Sequence, residues 1–315
     1  MKRLLCIFLV ALAPIAVCAG PFTLVKDGKP ACCIVIAEKA SANATFAAKE
    51  LQTYVEKISG AKLEIRTDAE RVTGAKVLVG RSKLTDAISG LQIPSGITLS
   101  LREEGFVIHC VGDTLVLAGN DSTVEDCKEA SDEVRTKKFH KGPLYLGTRY
   151  AVYELLDRLG VRWFVPGEYG EVVPKAATVQ FPEMSLTELP DFPVRGAWTF
   201  GPEWELWAVR HKQNPWAVDW FGVPGDSSLN GYVPADKMKE HPEWFALQPD
   251  GSRNLMPCMS DELRRADPKY AGQPRLLDAM TDRIGHDVSV GSQCSPFSPD
   301  DGTPYCLCEL CRKTS

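Results

Sequence analysis

Gly147-Thr-Arg-Tyr-Ala-Val-Tyr-Glu-Leu-Leu-Asp-Arg-Leu-Gly-Val-Arg-Trp-Phe-Val-Pro-Gly167 is the stretch whose reading decides the fold. Val152, Leu155, Leu156 and Leu159 recur at helical spacing and make one apolar stripe over about Gly147 to Leu159. Gly160 supplies the stop. Val161-Arg-Trp-Phe-Val165 then reads as a strand, closed by Pro166-Gly167. A buried helix handed directly to a strand is the unit of a mixed α and β layer structure.

The same grammar extends backwards. Phe22 to Val25 and Cys33 to Ile36 read as strands on either side of the turn Lys26-Asp-Gly-Lys29. A helix is predicted from about Asn43 to Ser59, because Ala47, Leu51, Tyr54, Val55 and Ile58 fall on one face and Gly60 follows. Asn43-Ala-Thr45 matches a glycosylation acceptor, but Asn at a helix start reads as a cap. Leu63 to Arg66 and Lys76 to Val79 are further strands. Phe106 to Val111 and Thr114 to Ala118 form a hairpin around Gly112-Asp113. Residues 120 to 143 are polar and charged, and read as a surface loop or a loose helix.

Prolines at 166, 174, 182, 190 and 193 mark a change in composition, and six of the seven tryptophans fall from Trp198 to Trp244. A domain boundary is expected near 182–190. Beyond it, Val194 to Trp198 reads as a short strand, Glu203 to Lys212 as a helix and Trp244 to Leu247 as a strand before Pro249-Asp250-Gly251. This alternation suggests βα units.

At the N-terminus, Lys2 and Arg3 precede the apolar run Leu4 to Val17, and Val17-Cys18-Ala19 provides small residues for cleavage after Ala19. Residues 1–19 are therefore read as a signal peptide, and the mature chain as secreted or periplasmic. Cys18 also suits lipid attachment, but Val17 is larger than the residue preferred before a lipidated cysteine. No later segment is long and apolar enough to span a bilayer. Hydrophobic residues at 44% and charged residues at 24% are ordinary for a globular chain of 315 residues. A net charge of −5, with no basic run longer than two residues, argues against nucleic acid as a partner.

The chemistry concentrates at Ser298-Pro-Asp-Asp-Gly-Thr-Pro-Tyr-Cys306-Leu-Cys308-Glu-Leu-Cys311. Asp300 and Asp301 are the candidate catalytic carboxylates, weighed against a plain solvated turn. Adjacent residues in an extended segment point to opposite sides, so the two cannot be the facing pair that glycoside hydrolysis uses. Trp216 and Trp220, beside a loop rich in Gly, Pro and Ser, suit stacking on sugar rings, while Trp204 and Trp207, three apart on a helix, read as packing residues. His241 reads equally as a substrate contact or as a hydrogen-bonding residue at a loop-to-strand junction. Asp261-Glu262 reads as an acidic helix start.

Eleven cysteines, less two in the leader, leave nine. Cys32, Cys33 and Cys110 lie in apolar runs and read as buried. Cys306, Cys308 and Cys311 supply three thiolates of a metal site, with Cys294 or Cys258 as the fourth; Cys294 is the sequence's choice. The alternatives are disulfides, which export permits, and free thiols. No cofactor beyond a structural zinc is implied.

Gly147 to Gly167, together with Lys76-Val-Leu-Val-Gly-Arg81 and Ala118-Gly119-Asn120, resembles the N-terminal α+β domain that precedes the barrel in α-glucuronidases and β-hexosaminidases. His241-Pro-Glu-Trp-Phe-Ala-Leu247, Met256-Pro-Cys-Met-Ser260 and the terminal Asp-Gly with Cys-x-Cys-x-x-Cys resemble the bacterial family called domain of unknown function 4838. The resemblance implies an α/β architecture: a hexosaminidase domain 2-like α+β module over 20–181, then the first part of a (β/α) TIM barrel over 182–315. It implies a glycoside-hydrolase-like protein with carbohydrate as partner, or a non-catalytic relative that binds glycan or serves structurally. A full barrel takes roughly 250 residues, so the region after 182 is expected to be incomplete and this chain alone to have little hydrolase activity.

Overall fold

The computed structural model describes residues 20–128, 145–196, 201–214, 229–233, 235–258, 260–264, 266–289 and 306–314. The architecture is mixed α/β. In chain order the first elements are β1 (Phe22–Lys26), β2 (Lys29–Pro30), β3 (Cys33–Ile36), α1 (Ala42–Ser59), β4 (Ile65–Thr67), β5 (Lys76–Val79), α2 (Lys83–Asp86), β6 (Phe106–Val111) and β7 (Thr114–Gly119). They continue with α3 (Gly147–Arg158), β8 (Arg162–Trp163), β9 (Glu171–Val172), β10 (Val179–Phe181) and β11 (Ser185–Glu188).

A six-stranded sheet in the order β11-β6-β7-β5-β3-β4 forms the centre. β4, β3, β5 and β7 run parallel, and β6 and β11 close one edge antiparallel. Successive side chains on a strand face opposite ways. Ile34, Val77, Val79, Ile108, Leu115 and Leu117 therefore meet α1 and α3 on one face. Val35, Leu78, Val107, Val116 and Ala118 meet Leu84, Ile88, Leu91 and Ile93 on the other. Burial on both faces explains why these strands read as continuous apolar runs rather than as alternation.

The helix face predicted from Ala47, Leu51, Tyr54, Val55 and Ile58 is the face buried in the core. The start differs from the sequence reading. Ser41 is the N-cap, its Oγ accepting the Ala44 N–H at 3.0 Å. Asn43 sits inside the first turn, fully buried, and its Nδ2 donates to the Tyr145 carbonyl at 2.7 Å. Asn43 therefore joins α1 to the chain entering α3 and caps nothing. Gly60, at φ 77°, ends the helix with its N–H on the Glu56 carbonyl.

Gly147 is needed where it stands. A Cβ there would lie 2.4 Å from both the Asn120 nitrogen and the Gly105 carbonyl oxygen, so α3 can start this close to β7 only without a side chain. Trp163, from the decisive stretch, is buried. Its indole N–H donates to the Tyr54 hydroxyl at 2.8 Å, and that hydroxyl donates to Glu171 at 2.5 Å. Cys32, Cys33 and Cys110 are half-buried rather than fully enclosed.

The later elements are α4 (Pro202–Arg210), α5 (Leu229–Tyr232), β12 (Phe245–Leu247), β13 (Arg253–Pro257), α6 (Asp261–Arg264), α7 (Leu276–Ser289) and α8 (Glu309–Thr314). α4 lies on the first core through Val209 and Trp207, and the Trp207 indole donates to the Trp163 carbonyl at 2.8 Å. Trp204, read with it as a packing residue, is 39% exposed. Between β11 and α4 the chain is tied down by Arg195, whose Nη2 lies 2.6 Å from the fully buried Glu104 carboxylate.

Among the described residues beyond 214, the strands are the antiparallel pair β12–β13. Phe245 joins Tyr232, Val233, Trp244, Leu276 and Met280 in one cluster, while the next residue, Ala246, faces Met256, Cys258 and Cys306 in another. Among the described residues no helix is long and apolar enough to cross a membrane.

Candidate functional site

Asp300, Asp301, Trp216, Trp220 and Cys294 lie outside the described residues, as does the leader 1–19. His241, Cys306, Cys308 and Cys311 are described, and they belong to neighbouring pieces of one region.

His241 precedes the short turn Pro242–Trp244 that leads into β12. Its ring stacks on Trp244 with centroids 4.3 Å apart and planes 15° apart. Its Nδ1 is 3.2 Å from Glu243 Oε1. Trp244 is only 3% exposed, so its indole is part of the core and not a sugar platform. The face of His241 on Trp244 is therefore closed, and the side chains of His241 and Glu243 are each 19% exposed. Asp261, read as an acidic helix start, holds that role: it accepts the Leu276 N–H at 3.0 Å and lies 3.3 Å from Arg264 Nη1.

The cysteines are assembled from three separate stretches. β13 ends at Pro257 and delivers Cys258, whose N–H donates to the Trp244 carbonyl at 2.7 Å. The chain at 306–308 runs beside β12, with the Leu307 N–H on the Leu247 carbonyl at 2.8 Å. This sets Cys306 against the end of the hairpin. Cys308 and Cys311 bracket the start of α8, three residues apart, so both face the same way.

The result is a cluster of Cys258, Cys306, Cys308 and Cys311 whose sulfurs all lie within 4.8 Å of one another. Cys258 Sγ is 3.5 Å from Cys306 Sγ and 3.7 Å from both Cys308 Sγ and Cys311 Sγ. No disulfide joins any of the four. The fourth thiol among the described residues is thus Cys258, where the sequence favoured Cys294.

Each sulfur also has a polar neighbour. Arg264 Nη2 donates to Cys258 Sγ at 2.9 Å. The Leu247 N–H donates to Cys306 Sγ at 3.2 Å, and the Cys311 N–H to Cys308 Sγ at 3.5 Å. Ser260 Oγ is 2.9 Å from Cys311 Sγ. Arg264 is itself buried and fixed by the Glu243 carbonyl at 2.7 Å.

These surroundings shift the thiols apart. Burial pushes Cys258 well up, against the pull of the Ser260 N–H and Arg264. Burial raises Cys311 too. At Cys308 burial acts in the same sense, but hydrogen bonds from the Cys311 N–H and the neighbouring thiols outweigh it, and the thiol falls to about 7. Arg264 was missed in the sequence, where Leu263-Arg264-Arg265 registers only as a helix start. The available signal was a guanidinium six residues after a cysteine in a tight turn.

Elsewhere, Glu104, Phe106, Tyr150, Phe192, Arg195 and Lys212 line an open cleft of about 490 Å³. Its deepest carboxylate, Glu104, is already engaged by Arg195, the Asn214 amide and the Leu146 N–H.

Residues 165–315 match the family model described as domain of unknown function (DUF4838), which bears out the resemblance read from His241 to Cys311. No curated protein matches the chain. Among solved structures, the chain is similar to a novel family GH115 4-O-methyl-α-glucuronidase with specificity for decorated arabinogalactans. The identity is 18% and the TM-score 0.36, over 56% of this chain and 19% of that one. The chain thus spans about a fifth of that protein's length.

Proposed function

We propose that this chain is a secreted glycoside-hydrolase-like protein that acts on or binds a polysaccharide or other glycan. The observation that carries the reading is the decisive stretch itself: Gly147 to Gly167 resembles the module that precedes the barrel in α-glucuronidases and β-hexosaminidases. In the fold it forms α3 and β8, packed into a single core with α1 and the mixed sheet. In this reading the module covers 20–181, and 182–315 is the first part of a (β/α) barrel. The leader at 1–19 directs export, with lipid attachment at Cys18 the lesser alternative.

The chemistry would fall to Asp300 or Asp301 acting with a second carboxylate across the scissile bond. One would protonate the leaving oxygen, and the other would attack the sugar or activate water. Positioned acid–base help of this kind is worth roughly 10²–10⁴-fold in rate. Trp216, Trp220 and His241 would contact the sugar.

The test is binding and turnover of the mature chain on aryl glycosides and uronic-acid-bearing oligosaccharides, with Asp300→Asn, Asp301→Asn and Trp220→Ala beside it. Saturable binding that Trp220→Ala weakens supports the reading. Absence of binding to every glycan at millimolar concentration defeats it.

A second reading, a non-catalytic protein held together by cysteine-bound metal or disulfides, draws on the convergence of Cys258, Cys306, Cys308 and Cys311. Turnover that disappears in Asp300→Asn or Asp301→Asn would set it aside.

A further inference from the structure

We infer that Cys258, Cys306, Cys308 and Cys311 hold one zinc ion in a closed tetrahedral tetrathiolate site, with Arg264 lying against the Cys258 sulfur to offset its charge. The inference stands apart from the glycan reading, since it rests only on sulfur geometry and on what surrounds the sulfurs.

A tetrahedral zinc with Zn–S bonds of about 2.3 Å separates its ligand sulfurs by about 3.8 Å. The separations from Cys258 are 3.5, 3.7 and 3.7 Å, and no pair exceeds 4.8 Å. Four sulfurs gathered at such separations suit a single shared ion. Two disulfides would draw the same cysteines into two bonded pairs and leave no common centre.

The surrounding groups point the same way. A thiolate accepts hydrogen bonds and donates none. All four sulfurs have a donor on them or beside them: the Arg264 guanidinium, the Leu247 N–H, the Cys311 N–H and the Ser260 hydroxyl. Such outer contacts orient thiolate ligands and spread their charge. Binding Zn²⁺ by four thiols releases four protons and leaves a complex of net charge −2. A buried guanidinium 2.9 Å from one sulfur, shared with the Asp261 carboxylate, offsets part of it. Arg264 is held in that place by the Asp261 carboxylate at 3.3 Å and the Glu243 carbonyl at 2.7 Å.

Four thiolates in tetrahedral array select zinc or iron among common metals. With no position left open the ion has no bound water to activate, so its role is structural. It would join the end of β13, the chain beside β12 and the start of α8 at one point.

The experiment uses the mature chain, purified under reducing conditions from cells supplied with zinc. Metal analysis should return about one zinc per chain. Cobalt replacement should give the sulfur-to-metal charge-transfer and ligand-field absorption of a tetrahedral tetrathiolate. Cys258→Ala should lower zinc affinity, measured against a competing chelator, by more than a hundredfold, and Cys294→Ala should leave it unchanged. Ser260→Ala should weaken it by about tenfold, as outer-contact losses do.

Because Cys258→Ala can disturb folding, the wild type carries a second measurement. Chelator extraction should raise amide exchange in 245–258 and 306–314, and zinc should restore protection. The inference is overturned if the reduced chain takes up no zinc, if iron fills the site, or if intact mass shows a disulfide among these four cysteines. It is overturned equally if Cys294→Ala abolishes binding.

Discussion

Arg195→Met tests how the N-terminal layers are tied to the chain that follows them. Arg195 Nη2 lies 2.6 Å from Glu104 Oε2, with the carboxylate fully buried and the Arg195 side chain 19% exposed. Glu104 also accepts the Leu146 N–H at 3.0 Å and the Asn214 amide at 3.1 Å. The guanidinium reaches the Phe192 and Lys212 carbonyls as well. Methionine keeps the unbranched stem and removes the charge, leaving an interior carboxylate with two neutral donors. Deleting one partner of a buried pair costs about 3–5 kcal/mol, a large part of the 5–15 kcal/mol or so that holds a domain folded. By contrast Lys237→Ala, which breaks a solvent-screened surface pair with Glu240, should leave stability nearly unchanged.

The double variant Glu104→Gln with Arg195→Met should recover about half the loss or more, since no charge is then stranded. The pH dependence has a definite sign. Burial pushes the Glu104 carboxyl above its ordinary 4.5, against the pull of Arg195, the Leu146 N–H and Asn214. A carboxyl raised in the folded state carries no penalty below 4.5, where it is protonated in both states, and an increasing one as pH rises past that value. Without Arg195 the push is larger, so the gap between wild type and Arg195→Met should be small near pH 4 and full near pH 8. Urea unfolding followed by tryptophan fluorescence at both pH values measures it. A loss under about 1 kcal/mol, a double variant no better than the single, or a gap that widens in acid would refute the reasoning.

Tyr54→Phe leaves the Trp163 indole N–H buried without its acceptor and takes a donor from Glu171, so it should cost about 1–3 kcal/mol in the same unfolding assay. Burial raises the Glu171 carboxyl, but hydrogen bonds from Lys57 and Tyr54 outweigh this and hold it below its ordinary 4.5. Its contribution is therefore complete above 4.5 and lost as pH falls through the lowered value, which Glu171→Gln should show as a flatter acid limb. Gly147→Ala forces a methyl group to 2.4 Å from backbone on two sides and should cost upward of about 2 kcal/mol, read as a lowered melting temperature. Ser41→Ala removes the cap of α1 and should cost about 1 kcal/mol.

What could be read from the sequence follows the range of the interactions concerned. α1 and α3 were legible because helical periodicity is local, and their apolar faces are the faces buried. The hairpin at Gly112-Asp113 was legible because a two-residue turn fixes its own register, from Phe106↔Gly119 to Val111↔Thr114. The start of α1 was not. Ser41 and Asn43 are both good caps by residue type, and only the Tyr145 carbonyl, 102 positions away, decides that Asn43 turns inward. The strand order was equally out of reach, since β3 pairs with both β4 and β5 through long connections.

The sulfur cluster shows the same limit. Cys306, Cys308 and Cys311 announce themselves by spacing. Cys258 is 48 positions from Cys306, and the two meet because Leu307 pairs with Leu247 and Cys258 with Trp244, which no local pattern encodes. The fourth cysteine of the cluster therefore cannot be chosen from the sequence, although the residue type can. The cluster behind the hairpin also explains why sulfur matters here. Its buried members are Ala246, Met256, Cys258 and Cys306, so two of four are cysteines and the aliphatic content is one alanine and one methionine. Full burial of a methionine is worth about 1.5–3 kcal/mol and an alanine less, while ordering each residue costs roughly 1–2 kcal/mol. Leu247, Cys308 and Cys311 pack, partly buried, against the same small cluster. In the zinc inference, one ion shared by the four sulfurs would tie the end of β13, the chain beside β12 and the start of α8 together at this point.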